Sequence, residues 1–102
     1  MAVRDIYFPN IISGWDGETD ANTNFYVHTD EFVTSIPSFA IYDRWGELIY
    51  SYEDGLPNDP QWGWDGQFLG NDAAQGVYVY LIELEYAGGE TEIFTGTVTV
   101  TR

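Results

Sequence analysis

Apolar and polar positions alternate along this chain with the two-residue period of β-strands. The longest such stretch is Gly76-Val77-Tyr78-Val79-Tyr80-Leu81-Ile82-Glu83-Leu84-Glu85-Tyr86. Its lower half separates Ile82, Leu84 and Tyr86 from Glu83 and Glu85 residue by residue, as a strand with one solvated face does. Its upper half is apolar at every position. That combination predicts a central strand, covered on both faces where it starts and reaching water where it ends.

The remaining pattern predicts shorter strands. Val3-Arg4-Asp5-Ile6-Tyr7-Phe8 reads as a first strand closed by Pro9-Asn10, because proline cannot donate to a ladder. Ile11 to Asn24 has little periodicity and reads as a loop. Phe25 to Thr29 is a second short strand, with Phe25 and Val27 on one face and Tyr26 and His28 on the other. Asp30 to Pro37 reads as a connection. Phe39-Ala40-Ile41-Tyr42-Asp43 and Glu47-Leu48-Ile49-Tyr50-Ser51-Tyr52 then flank Arg44-Trp45-Gly46, which predicts a hairpin with a three-residue loop, its Gly left-handed and a bulge beside it. Glu53 to Pro60 reads as loop, with Leu56-Pro57-Asn58-Asp59-Pro60 forbidding a helix. Gly70-Asn71-Asp72 predicts a hairpin-like turn, and Gly88-Gly89 turns the chain into a last strand in which Thr alternates with Val98 and Val100. Gly76-x-Tyr78, after a polar loop carrying Asp72, resembles the tyrosine corner of immunoglobulin-like sandwiches, in which a tyrosine hydroxyl bonds to upstream backbone. The predicted class is all-β, an immunoglobulin-like antiparallel β-sandwich of about seven strands. Tyr78, Tyr80, Ile82, Val98, Val100, Ile41 and Leu48 are its expected core.

Length and composition narrow the picture. The 102 residues predict a single domain over 1–102. Six Phe, eight Tyr and four Trp argue against disorder despite 17 acidic residues. No apolar run is long enough for a transmembrane helix. The start lacks a basic segment followed by an apolar one, so either a signal peptide has been removed or the chain is part of a longer protein. With no cysteine, thiolate metal sites and a cysteine nucleophile are excluded. Three Arg, no Lys and a formal charge of −14 argue against nucleic acid and anionic lipid as partners.

Three constellations carry candidate chemistry. Asp16, Glu18, Asp20, Asn22 and Asn24 place oxygen-bearing side chains at every second position of one loop, which makes Asp16, Glu18, Asp20 and Asn22 candidate ligands of one Ca²⁺ ion. Ala21 stands where an EF-hand loop has glycine and no Glu closes the run, so this is not an EF-hand. His28 lacks a Cys, His or Ser partner for catalysis or zinc and reads as a rim residue. Trp15, Trp62 and Trp64, with nearby Asn and Asp, suggest an aromatic platform for sugar rings; the competing reading makes Trp45 and Trp64 structural. No Ser/His/Asp set or phosphate loop appears, which points away from an enzyme.

Four blocks together resemble a known family. These are Asp43-Arg44-Trp45-Gly46-Glu47-Leu48-Ile49-Tyr50, Gly63-Trp64-Asp65-Gly66, Gly76-Val77-Tyr78-Val79-Tyr80 and Thr95-Gly96-Thr97-Val98-Thr99-Val100-Thr101-Arg102. In order and spacing they are similar to the gliding-motility-associated C-terminal domain, the type B sorting domain of the Bacteroidetes type IX secretion system. The entry segment departs from the family pattern, keeping Pro9-Asn10 but only Asp16, Gly17 and Asp20 of its Asn/Asp/Gly run. The resemblance implies a non-catalytic address at the C-terminus of a larger exported protein. Such a domain folds in the periplasm, engages an outer-membrane translocon or a membrane-embedded anchoring protein, and retains its cargo at the cell surface. It implies no membrane insertion of its own, and a monomer is expected in isolation. For the contact with that partner the expected residues are Arg44 and Trp45 at the hairpin tip and Arg102 at the end of the last strand, since Arg and Trp are favoured interface anchors. A free edge beside that strand is expected to be open to a partner strand.

Overall fold

A computed structural model of the chain describes residues 6–13 and 24–101. Nine strands follow one another in the described residues: β1 (Ile6–Tyr7), β2 (Ile11–Ser13), β3 (His28–Thr29), β4 (Val33–Tyr42), β5 (Leu48–Gly55), β6 (Gln67–Phe68), β7 (Asn71–Asp72), β8 (Gly76–Tyr86) and β9 (Thr91–Thr101). The long ones build a five-stranded sheet in the order β2-β9-β8-β4-β5. The short pairs β1-β3 and β6-β7 lie outside it. A single turn of 3-10 helix, Pro60–Trp62, starts at Asp59, whose carboxylate accepts the Gln61 N–H at 2.9 Å.

The fold is all-β and sandwich-like. β8 spans the stretch expected of it, and Tyr78, Ile82, Leu84 and Tyr86 are buried along one face. The other face is not covered at its upper end, contrary to the sequence reading: Val77 and Leu81 are 46% and 43% exposed. Their neighbours there are Thr99 and Thr95 on β9 and Ala40 on β4. No second layer crosses that side among the described residues. On the inner side, Phe25 and Val27 are buried, and Phe25 meets Trp64 through two backbone hydrogen bonds of 2.8 Å. Phe25 packs on Phe39 and Tyr80, Trp64 on Tyr78, and Phe8 on Tyr80 and Phe94. The second layer is therefore a set of aromatic plugs on short pieces of chain rather than a regular sheet.

Five expectations need correction. The sheet is not wholly antiparallel, because β2 pairs with β9 in parallel, Ile11 opposite Thr99 and Ser13 opposite Thr101; Ile11 to Ser13 is strand, not loop. Of the stretch Phe25 to Thr29, only His28–Thr29 forms a strand. The supposed connection Asp30 to Pro37 already contains the start of β4. Pro37 is tolerated because the β4-β8 register slips between Ser35 and Ser38, and a bulge leaves one residue without a ladder bond to make. Leu48 is 48% exposed rather than core. A register shift between Ile41 and Tyr42 sets Leu48 opposite Tyr42, whereas Ile41 pairs with Tyr50 and is fully buried.

The turns follow the local sequence. Asp43 and Glu47 close the β4-β5 hairpin through an N–H···O bond of 2.9 Å, with Gly46 at φ 88°. That is the three-residue loop predicted from Arg44-Trp45-Gly46. The tyrosine corner is also present, the Tyr78 hydroxyl donating to the Ala74 carbonyl at 2.6 Å.

Tyr52 links the sheet to the 3-10 turn. Its ring stacks on Phe39 at 4.7 Å and its hydroxyl donates to the Trp62 carbonyl at 2.7 Å. Burial first, and the neighbouring Tyr50 second, push its phenol pKa far above the ordinary value. An ordinary tyrosine ionises near pH 10, so above that pH the unfolded chain releases a proton that the folded chain retains. The folded state then binds more protons than the unfolded one, and stability falls as pH rises. Below pH about 10 the contribution is fully present. Urea melts at pH about 8 and about 11 should show this loss, and Tyr52→Phe should reduce it. An unchanged alkaline loss in Tyr52→Phe would assign it to other groups, such as Tyr50 and Tyr80, which burial also raises.

Candidate functional site: the Arg44–Trp45 hairpin tip

The tip is rigid because its own first residue ties it down. The Asp43 carboxylate accepts the N–H groups of Trp45 and Glu47, each at 2.9 Å, and the Gly46 N–H donates to the Asp43 carbonyl at 3.0 Å. Three hydrogen bonds thus fix the three-residue loop. The Asp43 carboxylate is engaged by the Trp45 and Glu47 N–H groups, and among the described residues Arg44 makes no ion pair.

The two exposed side chains of the tip touch each other instead. The Arg44 guanidinium carbon lies 5.8 Å from the centre of the Trp45 ring, within cation–π range. Trp45 is 84% exposed, the most exposed large apolar residue among those described, so it does not pack inward. Arg44 also reaches the entrance of β8, where a Cβ placed on Gly76 would come within 3.2 Å of its terminal nitrogen. A pocket of about 120 Å³ forms there between the tip and the residues Ala74 to Tyr78. The tip and the tyrosine corner are therefore one neighbourhood, which their separation in sequence conceals. The absent side chain of Gly76 was the only local signal for it.

This arrangement suits recognition rather than reaction. It combines a flat apolar ring with a cation that makes no ion pair among the described residues, on a surface otherwise rich in carboxylates, and such Arg and Trp side chains anchor protein interfaces. Arg102, the third expected contact residue, lies outside the described residues. So do Asp16, Glu18, Asp20 and Asn22. Among the described residues no group of three His, Cys, Asp or Glu gathers in a way that would hold a metal ion.

The aromatic platform is not formed as the sequence suggested. Trp64 is fully buried and its indole N–H donates to the Gln67 carbonyl at 2.9 Å. Trp62 packs against Tyr52 at 5.2 Å, and Trp15 lies outside the described residues. His28 lines an open pocket of about 370 Å³ beside Tyr7, Asp30 and Asn58, its ring 4.2 Å from that of Tyr26.

Comparison with known proteins gives this geometry its context. The family described as the CHU_C type IX secretion signal domain matches residues 6–100. No curated protein matches the chain. Among solved structures, the crystal structure of CopC from Methylosinus trichosporium OB3b is similar, with a TM-score of 0.58 and 18% identity over 94% of this chain and 88% of that one. At that identity the likeness concerns the fold alone.

Proposed function

The chain belongs to the CHU_C type IX secretion signal domain family, and we propose that it acts without catalysis, as a C-terminal address recognised through protein–protein contact. Its role is sorting in type IX secretion, with export followed by secretion or attachment at the cell surface. In the finer reading, residues 1–102 act as one domain on a larger exported protein. The domain passes the periplasm folded, engages an outer-membrane translocon subunit or a membrane-embedded anchoring protein, and holds its cargo at the surface. The observation that carries this reading is the family match across nearly the whole described chain. The exposed Arg44–Trp45 pair supplies a contact that a partner can distinguish on an acidic domain.

A folded reporter fused ahead of the chain, behind a signal peptide, tests the reading in a host with a working type IX system. The reporter should appear at the surface. Replacing both Arg44 and Trp45 by Ala should lower surface display by more than about 30-fold, since each interface anchor of this kind contributes about 2 kcal/mol or more. Both side chains are exposed, so melting should be unaffected. A reporter retained in the periplasm on a folded domain would reject the sorting mechanism. Undiminished display by the double variant would reject only the tip as its contact.

A further inference from the structure

We propose that the open flank of β9, from Thr91 to Val98, receives an extended strand of the partner protein, which adds to the five-stranded sheet beside β2. The inference rests on the sorting role above and assigns the place and chemistry of the contact. The sequence suggested a free edge beside the last strand, but β2 already occupies Thr99 to Thr101. The unpaired part lies further back.

The ladder geometry says which backbone groups are available. The β8-β9 register is unbroken from Gly76 opposite Val100 to Glu85 opposite Thr91. The Thr99 N–H points away from β8, because it donates to the Asn10 carbonyl at 2.9 Å. Backbone groups alternate sides along a strand in an antiparallel ladder, so Ile93, Thr95 and Thr97 also turn their N–H and C=O outward. Phe94, Gly96 and Val98 bond to β8. No described residue takes up the outward groups of Ile93, Thr95 and Thr97. The ligand that matches alternating donors and acceptors at this spacing is another extended polypeptide.

Exposed edges are commonly guarded by lysine, proline, an inward charge or a bulge. This one has none. Ile93-Phe94-Thr95-Gly96-Thr97-Val98-Thr99-Val100-Thr101 contains no charged residue and no proline in a chain with 17 acids, and Ile93 is 64% exposed. The opposite edge of the sheet, β5, carries Glu53 and Asp54. Acids are thus absent from the Ile93–Thr101 part of one edge, with Glu92 just before it, and present on the other. A second copy is a poor occupant, because pairing would bring together two bodies of formal charge −14. A partner strand without acidic residues, bearing cations where it passes Glu90 and Glu92, fits both the flank and its rim.

Two single substitutions in the full chain test this, using the reporter fusion described above. Thr95→Pro removes one outward N–H and leaves the β8 ladder intact. Thr97→Lys adds the missing guard charge. Ser51→Pro is the matched control on β5, since Ser51 sits opposite Ala40 and Ala40 faces β8. Loss of one or two backbone hydrogen bonds corresponds to about a tenfold fall in surface display, expected for Thr95→Pro and Thr97→Lys and not for Ser51→Pro. Thermal melts check folding, and if Thr95→Pro fails to fold, Thr97→Lys decides. Display equal to that of the unaltered chain overturns the β9 contact and leaves the sorting role standing. An unaltered chain that leaves its reporter in the periplasm overturns both. Sedimentation showing a dimer that Thr97→Lys dissolves would make the occupant a second copy and overturn the proposal as stated.

Discussion

Trp64→Ala should lower the unfolding free energy by about 3–5 kcal/mol, the range for deleting a large buried aromatic. The ring is fully buried beside Tyr78, and its N–H is the partner of the Gln67 carbonyl. Its backbone holds Phe25, which in turn covers Phe39 and Tyr80. Truncation therefore removes area from the core and loosens the piece of chain that carries a second plug. Domains of this kind are stable by about 5–15 kcal/mol in total, so a large part of the folded population is at stake. Trp64→Phe should cost less, retaining most of the ring volume and losing the N–H bond. Urea melts of the two variants separate these contributions. A loss for Trp64→Ala below about 1 kcal/mol would mean that the second layer contributes little to holding the sheet.

Local signals in the sequence account for the hairpins and not for what lies across from them. The β4-β5 and β8-β9 hairpins were legible because alternation and turn glycines are properties of neighbouring residues. Tyr78 was legible for the same reason, its bond reaching back only to Ala74. The parallel β2-β9 contact was not, since three residues carry too little pattern and their partner is distant in sequence. Pro37 was misread because a bulge depends on the register with β8. Leu48 was misread because the shift at Tyr42 reverses the face that simple alternation assigns. At the candidate site, the exposure of Trp45 could not be told from a packed tryptophan by composition. It followed once the Asp43 carboxylate was seen to hold the loop by accepting the Trp45 and Glu47 N–H groups.

The block Gly63-Trp64-Asp65-Gly66 was distinctive as a motif, while its physical reason lies with Phe25. Gly63 has φ −124° and ψ 174°, a conformation open to any residue, so only space dictates the choice of glycine. A Cβ there would stand 2.7 Å from the Phe25 carbonyl oxygen and 2.7 Å from the Tyr26 Cβ. Neither atom is the free end of a flexible side chain. Phe25 is clamped to Trp64 by its paired backbone bonds and buried between Phe39 and Tyr80, so Gly63→Ala must push the Phe25 and Trp64 segments apart. Such overpacking costs about 1–3 kcal/mol, and the upper end is expected because the clash is with backbone. Gly70→Ala makes the contrast. At φ 81° with nothing within 4 Å, it meets only the left-handed penalty of about 1–2 kcal/mol, confined to an exposed turn. Urea melts should rank Gly63→Ala as the more damaging, and near-ultraviolet circular dichroism should show a changed tryptophan environment in that variant alone. Equal losses with unchanged spectra in both would mean that the Phe25–Trp64 clamp yields easily, and the expected cost of Trp64→Ala would fall with it.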